Sequence, residues 1–164
     1  MSEQMVIKVG ISDMNLAVQQ GVIRTAGLGS CVGLTLYDAR TAIGGMIHVM
    51  LPTSEISRTP QIEVAKYADT AIPELVRRMT ARGAVLNRMV AKMAGGSQMF
   101  SHMAHQDAMR IGPRNVQMCK QILAQYRIPL IGEDTGGSHG RTIELDVSNG
   151  VLSVKCVHKP TREI

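Results

Sequence analysis

The amino-acid sequence predicts an α+β fold, and three patterns predict it. Short β-branched-rich segments crowd the first third of the chain, parted by Gly, Asp or Ala-Arg turns. An apolar stripe of helical spacing fills the middle. Near the end, two alternating segments flank Asn149-Gly150. Strands come in runs and do not alternate one for one with helices, which favours α+β over a doubly wound parallel sheet.

Taken in order, residues 5–11, 15–19, 22–27, 31–38 and 43–51 read as strands. Between positions 65 and 82, Ala68, Ala71, Ile72, Leu75, Val76 and Met79 fall on one helical face. Pro73 lies inside that stripe, so the helix either kinks there or begins just before it, and Gly83 ends it. Residues 85–96 read as a buried strand running into a Gly-Gly turn. A second helix is expected from Arg114 or Asn115 to about Tyr126, with Val116, Cys119 and Leu123 on one face. Residues 141–148 and 151–157 form a hairpin through Asn149-Gly150, a pair suited to a turn in which both residues take positive φ. The expected total is about eight or nine strands with two or three helices.

Composition narrows the function classes. The 164 residues include one Phe, no Trp and 12 Met, so the core rests on Val, Ile, Leu, Ala and Met. No linker or repeat divides the chain, and one domain over residues 1–164 is expected. A net charge of +5 permits an acidic partner. Scattered Lys and Arg with almost no stacking aromatics argue against nucleic acid. No segment approaches the roughly 18 to 20 apolar residues of a membrane span, so no membrane insertion is expected. The N-terminus does not read as a signal peptide. Three cysteines without CxxC spacing argue against disulfides and a zinc ribbon, so a cytoplasmic protein with reduced thiols is the expectation.

The residues with chemistry to offer centre on "GLGSCV", 27–32. It lacks the final glycine of a dinucleotide fingerprint and the Gly-Lys-Ser/Thr of a P-loop. What remains is a tight turn whose backbone N–H groups around Gly29, Ser30 and Cys31 can hold an anion or a developing oxyanion; a plain strand connection fits it equally. Cys119 and Cys156 sit on apolar faces and read as buried hydrophobes. Cys31 reads differently, since a thiolate needs a partly open, electropositive setting such as this turn could give. A nucleophilic thiol also needs a base. His102 and His105 are spaced for a metal pair, but no further ligand closes the set, and a solvated helix face is the better reading; no metal is expected. His139 and His158 read as exposed. His48 interrupts an otherwise apolar strand; if 31–38 and 43–51 pair as a hairpin through Ala39-Arg40, it lies near the level of Cys31. A satisfied core histidine remains the plainer alternative.

Five stretches together resemble the chemoreceptor glutamine deamidase family, CheD: "RTAGLGSCVGLTLYD" with "IGGMIHVMLP", "KYADTAIPELVRRM", "KMAGGSQMF", "IGPRN" and "EDTGGSHGRTIEL". The likeness runs through nearly the whole chain, and the Gly-Ser-Cys turn with its histidine strand is its most specific part. The resemblance implies a nucleophile at Cys31, a histidine partner at His48 and a third functional residue at Thr25; it places Phe100 beside the Gly-Gly turn, outside that group. It implies a layered α/β sandwich of mostly antiparallel strands, similar to toxin-type cysteine deamidases. It implies a cofactor-free conversion of receptor glutamine to glutamate on the cytoplasmic helices of methyl-accepting chemoreceptors, with a phosphatase-type partner, CheC. The rival expectation is a non-catalytic adaptor that regulates such a phosphatase, with Cys31 and His48 structural.

Overall fold

The computed structural model describes residues 4–99 and 110–164. Its strands are β1 (Val6–Lys8), β2 (Met14–Val18), β3 (Val22–Leu28), β4 (Val32–Asp38), β5 (Ile43–Val49), β6 (Val90–Gly95), β7 (Leu130–Thr135), β8 (Arg141–Asp146), β9 (Val151–Lys155) and β10 (Arg162–Glu163). The helices among the described residues are α1 (Ala68–Ala81) and α2 (Ile111–Gln125), with single 3-10 turns at Ser54–Ile56 and Leu86–Arg88. No helix among these residues is long and apolar enough to cross a membrane.

The strands form two five-stranded sheets, ordered β1-β3-β8-β9-β10 and β2-β5-β4-β6-β7. Neighbours are antiparallel except β1 with β3 and β6 with β7. Ile23, Leu28, Met46, Ile143, Leu145 and Leu152 fill the space between the sheets. On its other face the second sheet packs Leu34, Leu36 and Ile47 against Leu75 and Met79 of α1 and Cys119 and Leu123 of α2. The result is three layers, sheet on sheet on helices, with the second sheet in the middle. That position explains the sequence: every residue of β4 and β5 is buried, so both read as near-continuous apolar runs. The outer strand β8 alternates, burying Arg141, Ile143 and Leu145 while the residues between them are exposed or half-buried.

The α+β class and the six-residue stripe of α1 are as the sequence predicts, and the layered arrangement is as the resemblance implies. Local details differ, each for a physical reason. The first strand shrinks to Val6–Lys8 at a sheet edge, where there is little to pack against. Helix α1 begins five residues before Pro73 and runs through it, because six buried side chains outweigh one missing N–H donor. Helix α2 starts earlier than expected, at Ile111; Pro113 is tolerated in the first turn, where an N–H has no intrahelical acceptor. Val116 is only half-buried there, while Cys119 and Leu123 are buried. The hairpin of β8 and β9 turns through four residues, 147–150, and only Gly150 of the Asn-Gly pair takes positive φ. Asp146 sets this turn: its carboxylate accepts from the Ser148 amide (3.0 Å) and hydroxyl (2.6 Å), and its carbonyl from the Gly150 amide (2.7 Å).

The segment before β6 is also not strand. Val85 through Met89 wraps around the buried carboxylate of Asp38, at the end of β4. Asp38 accepts from the Val85 amide at 2.9 Å and from Arg88 Nε and Nη2 at 3.0 Å each. Burial pushes this carboxyl up, but the Arg88 guanidinium and the Val85 and Arg40 amides outweigh it and hold its pKa at about 2. Because the folded value lies below the ordinary 3.8, the unfolded chain takes up this proton first as pH falls. The stabilisation is therefore complete above about pH 4 and lost as pH drops towards 2. Urea unfolding across that window should show Asp38→Asn about 3 kcal/mol less stable than wild type at neutral pH, with a shallower acid decline. Equal stabilities at neutral pH would mean that the pair does not hold the segment.

Candidate active site

The turn between β3 and β4 carries the chain from the outer sheet to the middle one, so Gly29, Ser30 and Cys31 sit at one end of the sandwich. All three carbonyls are pinned. Gly29 accepts from the Ser97 amide at 2.8 Å, Ser30 from Asn115 Nδ2 at 2.9 Å, and Cys31 from the Gly96 amide at 2.9 Å. This contact requires bare backbone: a Cβ on Gly95, which has a φ of +106°, would overlap the Cys31 carbonyl. The Gly29 amide donates to Gly27 at 3.1 Å, whereas no acceptor among the described residues takes the Ser30 or Cys31 amide.

His48 lies on β5 directly opposite Gly33 of β4 and is wholly buried. It shares the face of Met46, which points between the sheets, and so meets Thr25 of the outer sheet. Nδ1 is 2.7 Å from Thr25 Oγ1, and Oγ1 is 2.7 Å from the Val9 carbonyl. A threonine hydroxyl has one proton, and a carbonyl can only accept. Thr25 therefore donates to Val9 and accepts from His48 Nδ1–H, which leaves Nε2 as a free lone pair. Nε2 is buried and has no partner among the described residues. Burial lowers the His48 pKa below its ordinary 6.5, so the ring is neutral at pH 7.

Cys31 lies two positions before Gly33, with the same strand parity, and packs against the core between the sheets. It stands one residue before the β4–β5 ladder begins, and that register extended by one step would make it the diagonal neighbour of His48, a relation that puts Cβ atoms about 7 Å apart. Gly33 stands between them in the register without a side chain, and Ile143 fills the space a Cβ there would need. The structure accordingly joins Thr25 to His48 directly and sets Cys31 at the same end of the same face, with Gly29 and Ser30 in its turn.

One expectation changes. The thiol does not sit in an electropositive setting: burial pushes its pKa above the ordinary 9.0, only partly offset by its own backbone amide. The cause is its contact with the apolar core between the sheets. Both shifts favour the uncharged forms, thiol at Cys31 and imidazole at His48. Cys119 is fully buried, with its thiol pushed up to about 12 by that burial, and Cys156 belongs to the core between the sheets. His158 is exposed, whereas His139 is half-buried, its pKa lowered by that burial and by Arg141 and Lys159. His102, His105 and Phe100 lie outside the described residues. Within the described residues no three His, Cys, Asp or Glu side chains group as metal ligands.

Two buried polar residues that build this end escaped the sequence reading. Asn115 Nδ2 bridges the Ser30 carbonyl and, at 3.0 Å, the Met50 carbonyl, tying the Cys31 turn to the chain just past His48. Arg141, 4% exposed, pairs with Asp134 at 3.0 Å and donates to Ser97 Oγ at 2.8 Å and the Gly136 carbonyl at 2.9 Å. It locks the loops after β6 and β7 around the turn. A signal existed for both. Asn115 falls in the buried stripe of α2 four residues before Cys119, and Arg141 falls in the inward register of Ile143 and Leu145. A polar side chain in an apolar register needs a buried partner.

Comparison with known proteins finds relatives of this chain along nearly its whole length. The family model described as CheD chemotactic sensory transduction matches residues 50–156. The chemoreceptor glutamine deamidase CheD of Halalkalibacterium halodurans is 48% identical over 159 residues, covering 97% of this chain and 98% of that one. The proteins of the same name from Bacillus licheniformis and Bacillus subtilis are 47% and 46% identical, over 94% and 99% of this chain and 92% and 98% of theirs.

Differential accessibility of the thiols can be measured directly. In the native protein, iodoacetamide should label Cys31 well before Cys119, and the Cys31 rate should climb with pH to a midpoint above the ordinary thiol value. Equal labelling of the two under native conditions would contradict the burial described here.

Proposed function

This chain belongs to the CheD chemotactic sensory transduction family, and from that premise we propose that it deamidates specific glutamine side chains of bacterial chemoreceptors to glutamate. The observation that carries the reading is His48, whose Nδ1 is held by Thr25 and whose buried Nε2 has no partner among the described residues, on the strand that pairs with β4 just after the Cys31 turn. In the proposed reaction the Cys31 sulfur bonds to the carboxamide carbon while its proton passes to Nε2. The carbonyl electron pair moves onto oxygen, where the open amides of Ser30 and Cys31 receive it; one such donor is typically worth about 3 kcal/mol of barrier. Gly29 turns the chain so that these amides are presented. The carbonyl then re-forms, the C–N bond breaks, and the Nε2 proton leaves with the nitrogen as ammonia. Water, deprotonated by the same Nε2, hydrolyses the thioester to glutamate and restores the thiol. Thr25 holds His48 in the tautomer this sequence needs.

The substrate surface in this reading is the cytoplasmic helical region of a methyl-accepting chemoreceptor, which places the reaction in the cytoplasm. The net charge of +5 suits an acidic helical face. Each conversion adds one negative charge to the receptor. A CheC-type phosphatase is the further partner proposed, on the strength of the family resemblance.

Incubation with a purified receptor cytoplasmic fragment should release ammonia, with a mass gain of about one unit per converted glutamine. Cys31→Ala should abolish the gain, and His48→Ala should lower kcat by about a hundredfold or more. The acid limb of kcat/KM should rise with pH around a midpoint below 6.5, because the base must be unprotonated and burial lowers its pKa. A folded Cys31→Ala protein that still converts the fragment would refute the assignment.

A further inference from the structure

Whether an amide can receive an oxyanion depends on where its peptide plane points. In a trans peptide the C=O of one residue and the N–H of the next point in opposite directions, so whatever grips the carbonyl also aims the amide. The Ser30 carbonyl and the Cys31 amide share one such plane, and so do the Gly29 carbonyl and the Ser30 amide. None of the described peptides is cis. The Gly29 and Cys31 carbonyls are held by backbone amides of the loop after β6. The Ser30 carbonyl alone is held by a side chain, Asn115 Nδ2, which reaches across 85 positions of sequence.

We propose that Asn115 is the positioning residue of the oxyanion site: it turns the Ser30–Cys31 peptide so that the Cys31 amide faces the reacting oxygen. This rests on the deamidase reading above. Asn115 is fully buried on the inner face of α2, with both Nδ2 protons engaged by the Ser30 and Met50 carbonyls. A turn carrying two glycines and a serine, with Gly27 and Gly29 free of Cβ restraint, has little intrinsic preference for one peptide orientation. A rigid helix supplies the preference. The second bond, to Met50, anchors the same amide group two residues beyond His48, so the oxyanion donor and the base are referenced to one side chain. No isosteric residue serves: aspartate would present a second oxygen to two carbonyl oxygens that need a donor.

The effect differs from a general loss of packing. The hydrogen bonds of Asn115 go to the Ser30 and Met50 carbonyls and to no member of the His48–Thr25–Val9 chain. Its loss should therefore lower kcat while leaving KM, the His48 acid limb and Cys31 alkylation in place.

The experiment compares wild type with Asn115→Ala, Asn115→Asp and Asn115→Ser on a receptor cytoplasmic fragment. Thermal unfolding identifies folded variants, and Asn115→Ser retains a short donor should the other two fail to fold. The expected result is a fall in kcat of about ten- to a hundredfold for Ala and Asp and a smaller fall for Ser, with KM within about twofold. The acid-limb midpoint and the native rate of Cys31 alkylation stay at wild-type values, and the Cys31 amide cross-peak moves in the variants while the His48 ring resonances do not. A folded variant with kcat within about twofold of wild type overturns the proposal. So does a fall in kcat accompanied by a displaced acid limb, which would place the effect at His48. A wild-type protein that converts no receptor fragment overturns the deamidase reading itself, and the proposal with it.

Discussion

A strand buried on both faces offers polar side chains no solvent, and the middle sheet imposes that condition on β4 and β5 along their whole length. The rest of the structure is arranged around this constraint. Glycine at positions 33, 44 and 45 lets the neighbouring layers come close, with Ile143, Leu145 and Leu75 occupying the space their side chains would need. Each polar residue in these two strands must bring its own partners. Asp38 recruits Arg88 and bends the chain before β6. Thr35 donates across to the Lys92 carbonyl at 3.3 Å. His48 satisfies one ring nitrogen through Thr25, and the other has no partner among the described residues.

That bare nitrogen costs about 1–3 kcal/mol as an unsatisfied buried acceptor. Among the described residues, no other side-chain polar atom of the middle sheet carries that cost. The neighbouring architecture concentrates there as well. The Gly96 and Ser97 amides, Asn115 and Arg141 come from three different parts of the chain and converge on the Cys31 turn and the loops beside it. The far end of the same sheet is closed by the Asp38–Arg88 pair. One end of the sandwich is sealed by charge pairing and the other is built to hold a turn in a fixed conformation.

The sequence is readable wherever a signal is local. The α1 stripe, the apolar runs of β4 and β5 and the lone histidine within one of them are all patterns a few residues long. The Cys31 turn is readable for the same reason, since its glycines and serine are contiguous. What escapes is contact between distant residues. Asn115 and Ser30 are 85 positions apart, and Arg88 and Asp38 are 50 apart. Neither helical nor strand periodicity reports such a pair. The Leu86–Arg88 turn reads as strand for this reason: the stretch is apolar enough for a strand, and only a carboxylate on β4 makes it a turn. Thr25 is a subtler case. Its place in β3 was readable, yet its chemical role depends on Val9, a backbone carbonyl that carries no side-chain signature at all.

In the proposed reaction, a thiol and an imidazole that both start uncharged fit the chemistry of an amide better than a pre-formed ion pair would. Ammonia is a poor leaving group until its nitrogen is protonated, so an acid is needed just after the sulfur adds. If the thiol starts protonated, attack itself delivers that proton to His48. The burial that lowers the basicity of the ring then makes its imidazolium a stronger acid towards the departing nitrogen. The same low-dielectric setting strengthens the attraction between that imidazolium and the oxyanion, provided the amide donors already point at the oxygen. Fixed donors cost no reorganisation at that moment, whereas a glycine-rich turn left to itself would have to reorganise. A quiet thiol, a buried base and a turn clamped from behind by a helix are in this sense one design: each is weak as a resting feature, and together they act when the charge appears.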